Sequence, residues 1–208
     1  MTGSTGLTGD TVLGALQAQR VMAIVRVGDA GQAYAAGARL IDAGLRAVEV
    51  SLGTPHALDA VEKLVSRPGH TAAVGVGTVL DLADVDRAAG VGASFIVSPT
   101  LDPAVVEATV ARGLASFPGC ATPSEMVRAA GLGATGVKIF PASLWTPQAL
   151  ADLLHALPSL RCVPTGGVRL DDIPSWLAAG ALAVGLGSAL ADELAVARVL
   201  EAASRGPA

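Results

Sequence analysis

Gly136-Val137-Lys138-Ile139-Phe140-Pro141 is the stretch on which the reading of the whole chain turns. Its apolar run closed by Phe-Pro predicts a short buried strand that ends at a loop. A lysine stands in the middle of it. The sequence has one other, Lys63, which follows Asp59 by four residues in a helix-like run, where an exposed i,i+4 pair is its natural setting. Lys138 lacks such a setting. Burial opposes its charge and lowers its pKa, and a neutral amine inside a protein is a nucleophile for carbonyl carbons. The same placement also suits a buried lysine–carboxylate pair that only supports the fold.

Outward from this strand the pattern repeats. Short apolar runs at 21–25, 47–50, 72–76, 95–97, 114–117, 161–164 and 181–184 each precede a helix-like segment. Helix starts are marked by Asp29, Thr54 with Pro55, Asp81, Asp102 with Pro103, Thr122 with Pro123, Thr146 with Pro147, and Asp171 or Asp172. Strand centres recur every 21–27 residues, giving eight strand–helix units. Such alternation implies right-handed crossovers and a parallel sheet. Eight units predict an α/β protein with a single-domain (β/α)8 TIM barrel over residues 11–208, after a flexible tail at 1–10. An open doubly wound sheet would place GxGxxG after the first strand, and Arg26-Val27-Gly28-Asp29 does not fit it.

Composition narrows the function classes. The chain has 208 residues, enough for one full core, of which 51% are hydrophobic, 15% charged and 3% aromatic, so Ala, Val and Leu must build that core. The net charge is −4 and the basic residues are scattered, which argues against nucleic-acid partners. Gly, Pro or a charge interrupts every apolar run well before the length of about 18 residues that would span a membrane. Cys120 and Cys162 form no CxxC and read as reduced, structural residues. With no secretory signal visible in residues 1–10, the expected location is the cytoplasm. His56, His70 and His155 show no ligand spacing, so neither a metal nor another cofactor is expected.

In such barrels function gathers at the C-terminal ends of the strands. Glu49, between Val48 and Val50, is a second charge inside an apolar strand. Facing Lys138 across the barrel, it reads as a general acid/base, or as the lysine's neutralising partner. Thr165-Gly166-Gly167 and Gly185-Leu186-Gly187-Ser188 follow the last two strands, where glycine-rich loops often hold phosphate. Thr78 and Arg26, also at strand ends, could hold a carboxylate, although a capping threonine and a surface arginine fit equally well. Pro99, Phe140 and Pro141 are placed to wall the pocket.

Seven segments stand in the order of one known family. They are Val48-Glu49-Val50, Gly77-Thr78-Val79-Leu80, Phe95-Ile96-Val97-Ser98-Pro99, Pro118-Gly119-Cys120-Ala121-Thr122-Pro123, Val137-Lys138-Ile139-Phe140-Pro141, Pro164-Thr165-Gly166-Gly167-Val168 and Gly185-Leu186-Gly187-Ser188. Over about residues 20–190 the chain resembles the 2-keto-3-deoxy-6-phosphogluconate (KDPG) and 4-hydroxy-2-oxoglutarate (KHG) aldolases, with their 2-keto-3-deoxy-6-phosphogalactonate (KDPGal) relatives. The resemblance implies a metal-independent homotrimeric barrel enzyme. It assigns the Schiff base to Lys138, acid/base work to Glu49, pyruvyl binding to Thr78, and phosphate binding to Gly166, Gly167, Gly187 and Ser188.

The implied reaction is cleavage of KDPG to pyruvate and glyceraldehyde 3-phosphate. KDPGal or KHG cleavage is the alternative substrate choice. A sugar-phosphate epimerase and a non-catalytic phosphosugar-binding barrel are the rival readings. The chain departs from the family at Gly53, where many members carry an arginine that contacts the pyruvyl carboxylate. Thr165, Arg26 and backbone N–H groups near Pro99 are then expected to carry that contact. Weakened pyruvate binding and relaxed choice between the two epimers are expected with it.

Overall fold

The computed structural model describes residues 9–204 apart from 70 and 191. The expected tail at 1–8 and His70 lie outside the described residues, while positions 9 and 10, assigned to that tail, open a helix the sequence reading lacked, α1 (Gly9–Gln19). Eight strand–helix units follow. They are β1 (Val21–Val25) with α2 (Ala30–Asp42), β2 (Ala47–Ser51) with α3 (Ala57–Val65), β3 (Ala73–Gly77) with α4 (Leu82–Gly90), and β4 (Phe95–Val97) with α5 (Pro103–Ala111). The next is split, β5 (Ala115–Phe117) and β6 (Gly119–Cys120) sharing α6 (Pro123–Gly131). Last come β7 (Val137–Ile139) with α7 (Pro147–Ala156), β8 (Cys162–Pro164) with α8 (Ile173–Ala178), and β9 (Val184–Leu186) with α9 (Glu193–Ser204).

Most helices start where their caps predict. Asp29, Asp81, Asp102, Thr122 and Thr146 each accept a hydrogen bond from a first-turn backbone N–H, and Glu125 completes a capping box with Thr122. Thr54 does not cap. It is buried, and its hydroxyl accepts instead from the Val27 N–H at 3.1 Å, tying the β2 loop to the β1 loop. His56, in the left-handed region at φ 56°, takes the N-cap position of α3. Asp172 stands before α8 but makes no capping bond, because Leu170–Asp172 forms a 3-10 turn. The last strand begins at Val184 rather than at Ala181.

All strand pairs are parallel, but the ladders do not draw the single closed ring expected from the sequence. They form a curled six-stranded sheet, β5-β4-β3-β2-β1-β9, and a three-stranded sheet, β6-β7-β8. Pro118, without an N–H, divides what would be one fifth strand. Two seams join the sheets: Thr135 N–H donates to Ser116 C=O at 2.9 Å, and Thr165 bridges Gly185.

Alternation along the strands sorts the side chains. Outward-facing residues such as Val48, Val50, Val74 and Val76 pack under the helices in the larger core. A second core lies on the inner face and includes Met22, Ala47, Ala73, Phe95, Ala115, Phe117, Val163 and Ala183. Phe95 and Phe117 meet edge to face at 6.1 Å there. Val12 and Leu16 of α1, both fully buried, complete this inner core. Helix α1 therefore plugs the N-terminal ends of the strands, which leaves their C-terminal ends as the open side.

Candidate active site

Two residues beyond four of the inner-core positions, the same alternation places the chemistry. Ile24 follows Met22, Glu49 follows Ala47, Thr165 follows Val163 and Gly185 follows Ala183. These residues line one cavity of about 520 Å³. In β2 the register sets Glu49 beside Ile24 of β1 and Gly75 of β3. In the second sheet Lys138 lies between Gly119 of β6 and Val163 of β8. Glycine is required at 77: any Cβ there would overlap the Glu49 carboxylate, so the missing side chain is what gives that carboxylate room.

Glu49 and Lys138 face the same cavity without touching. Glu49 is 2% exposed and Lys138 8%, yet no ion pair within 4.0 Å joins them. Glu49 Oε2 has no hydrogen-bond partner. Burial pushes the Glu49 carboxyl above its usual range, against the attraction of Lys138 and Arg26. Burial likewise holds the Lys138 amine below the usual lysine range; Glu49 opposes this and Arg26 adds to it. Lys138 Nζ stands 4.8 Å from the centroid of the Phe140 ring. The mutually neutralising ion pair that would have explained both residues structurally is therefore absent. What remains is an amine whose charge burial opposes and a carboxyl held above its usual range, both lining one cavity.

Of the residues singled out for binding or for walling the pocket, all but Pro141 line this cavity. Arg26, Thr78, Pro99, Phe140 and Thr165 are on its walls, and Gly166, Gly167, Gly187 and Ser188 form its loops. Gly166 and Gly167 adopt φ 82° and 92°, a left-handed turn that side chains resist. Thr78 has φ 64°, rare for a β-branched residue, and its hydroxyl shares a 2.8 Å hydrogen bond with Ser51 Oγ. Thr165 donates to the Val163 carbonyl at 3.1 Å. The turn after β9 is tied to α2 by Arg39 Nη2, which donates to Leu190 C=O at 2.9 Å. Cys120 and Cys162 are buried thiols pushed up to about 12 by desolvation, and neither lines the cavity.

Sequence reasoning passed over two polar lining residues, Ser51 and Arg169. Period-2 spacing from Glu49 would have found Ser51; a cation two residues past a Gly-Gly loop would have found Arg169. Gly53 is not itself on the wall of this cavity. It lines a neighbouring cavity of about 560 Å³ that shares Thr78, and a Cβ on it would point at Ser51 Oγ and the Arg26 stem, at 3.3 and 3.4 Å. Arg26 thus occupies the space into which a longer side chain at 53 would grow. Among the described residues, no group of three or more His, Cys, Asp or Glu side chains could hold a metal ion, and no helix is long and apolar enough to cross a membrane.

A curled parallel α/β sheet with a buried lysine and a buried carboxyl lining one cavity at its C-terminal rim is the arrangement an enzyme acting on carbonyl carbons needs. The family model for "Aldolase: KDPG and KHG aldolase" matches residues 12–200. An Escherichia coli K12 relative named 2-dehydro-3-deoxy-6-phosphogalactonate aldolase is 37% identical over 82% of this chain and 83% of its own length. A Treponema pallidum relative named 2-dehydro-3-deoxy-phosphogluconate aldolase is 32% identical over 81% and 80%. The solved structure of the Zymomonas mobilis ZM4 2-keto-3-deoxy-6-phosphogluconate aldolase with 3-phosphoglycerate superposes with a TM-score of 0.82, at 29% identity, covering 95% and 97%. A native KDPGal structure gives 0.79 at 36% identity, covering 89% and 91%. The chain belongs to the KDPG and KHG aldolase family, and it is a carbon–carbon lyase.

Proposed function

We propose that the chain is a class I aldolase that cleaves KDPG to pyruvate and glyceraldehyde 3-phosphate, and that it also accepts the KDPGal epimer. Lys138 attacks the C2 ketone, and the carbinolamine loses water to give an iminium. Glu49 takes the proton from the C4 hydroxyl. The C3–C4 electrons move into the iminium to form an enamine, and the aldehyde leaves. Protonation at C3 and hydrolysis release pyruvate and restore the lysine. Thr78 and Arg26 hold the carboxylate end, and the two glycine loops hold the phosphate. Both epimers are proposed because relatives of comparable identity carry each name.

The observation that carries the reading is the unpaired Glu49–Lys138 arrangement, in which burial moves each group toward its neutral form. The two sheets are taken to act as one closed (β/α)8 barrel, and the enzyme is taken to work in the cytoplasm as a homotrimer, for which exposed Leu80, Leu82 and Val127 supply apolar surface. The catalytic reading is tested by supplying KDPG and KDPGal separately and coupling pyruvate release to lactate dehydrogenase. Release from both epimers supports it. Release from neither, with a folded protein, removes it, and a thousandfold preference for one removes the claim of dual use.

A further inference from the structure

We infer that Arg169 sets the preference of this site for substrates ending in a phosphate dianion. The inference rests on the aldolase reading above and extends it to a residue outside the sequence-derived set. The charges on the cavity wall fall into two groups. Lys138 and Arg26 both act on the Glu49 carboxyl, forming an inner group around the reacting centre. Arg169 lines the same cavity from the loop after β8, five residues past the end of that strand at Pro164. It marks a separate, outer end.

That outer end is where the glycine loops lie. Arg169 follows Gly167 by two residues, on the segment that leaves the left-handed turn in an extended conformation at φ −93°. Gly187 and Ser188 close the cavity from the β9 side. The guanidinium is exposed and has no hydrogen-bond or ion-pair partner among the described residues, although Asp171 and Asp172 are near in sequence. Backbone N–H groups and a serine hydroxyl are neutral donors, and they discriminate weakly between a phosphate and any other polar end. A free guanidinium adds full charge and a planar fork matched to phosphate oxygens. Because it is solvated when empty, it favours the dianion by attraction and leaves an uncharged end unpenalised. The expected selectivity is therefore about ten- to a hundredfold, the scale of one charged hydrogen bond.

The test compares kcat/KM for KDPG and for unphosphorylated 2-keto-3-deoxygluconate, whose far end is an uncharged hydroxyl, in wild type, Arg169→Gln and Arg169→Lys. The ratio of the two is expected to fall about ten- to a hundredfold in Arg169→Gln and to recover in part in Arg169→Lys. A ratio that stays constant, or two substrates that lose activity in parallel, overturns the inference. In a second arm, inorganic phosphate is titrated against chloride at matched ionic strength while the melting temperature is followed. Phosphate is expected to stabilise wild type more than Arg169→Gln; equal stabilisation overturns the inference even if neither substrate turns over. Failure of Lys138 to trap pyruvate would strike the aldolase reading alone.

Discussion

Glu49 and Lys138 can be separated from structural buried charges by the sign of their effect on stability. Lys138 has a folded pKa below its ordinary 10.5, so the unfolded chain binds its proton more tightly. Its cost is fully present below the folded value and fades as pH rises toward 10.5. Glu49 has a folded pKa above 4.5, so its cost appears as pH rises through the interval above 4.5. Lys138→Met should then lose all turnover yet unfold at higher denaturant than wild type at pH 7, with the gap narrowing toward pH 10. Loss of stability in Lys138→Met would mean that the lysine holds the fold. Glu49→Gln should still form the pyruvate adduct while turnover falls about 10²–10⁴-fold.

Thr78 offers a second contrast at the same scale. Its left-handed φ of 64° costs about 1–3 kcal/mol in a β-branched residue. Thr78→Gly should therefore melt no lower than wild type while pyruvate KM rises; a large fall in melting temperature would show that the Ser51–Thr78 hydrogen bond outweighs the strain. At residue scale the sequence was legible where charge broke an apolar pattern, as at Glu49 and Lys138. It was silent on what surrounds Gly53, because sequence spacing does not say which way a loop position points. The Arg26 stem beside Gly53 is a contact across 27 positions.

Among the elements, the strands and most caps could be read locally, because a cap is decided within three or four residues. Thr54 could not: its hydroxyl is claimed by Val27 of another loop, a choice only the tertiary structure makes. Helix α1 was hidden for a related reason. Its apolar signal is little more than Val12 and Leu16, and its purpose emerges only when the inner face of the sheet needs a plug. Leu16→Ala should consequently cost about 2–5 kcal/mol in chemical denaturation, like other large-to-small core changes. A cost under about 0.5 kcal/mol, the scale of a surface change, would mean that α1 does not seal the core.

For the whole molecule, even strand–helix spacing was enough to predict a parallel α/β architecture, while the way the ladders divide into two sheets was not predictable. That division follows from Pro118 and from the single Thr165–Gly185 bridge, both matters of individual backbone groups. The chemistry assigned to the molecule needs only its own amine and carboxyl, so activity should survive exhaustive EDTA treatment; loss restored by a divalent ion would require a different mechanism. The central claim is that Lys138 forms a Schiff base, and the most direct measurement is borohydride reduction in the presence of pyruvate, followed by peptide mass mapping. The account predicts one added three-carbon unit per chain, on Lys138. Labelling at Lys63, or a fully active protein that traps nothing, would contradict it.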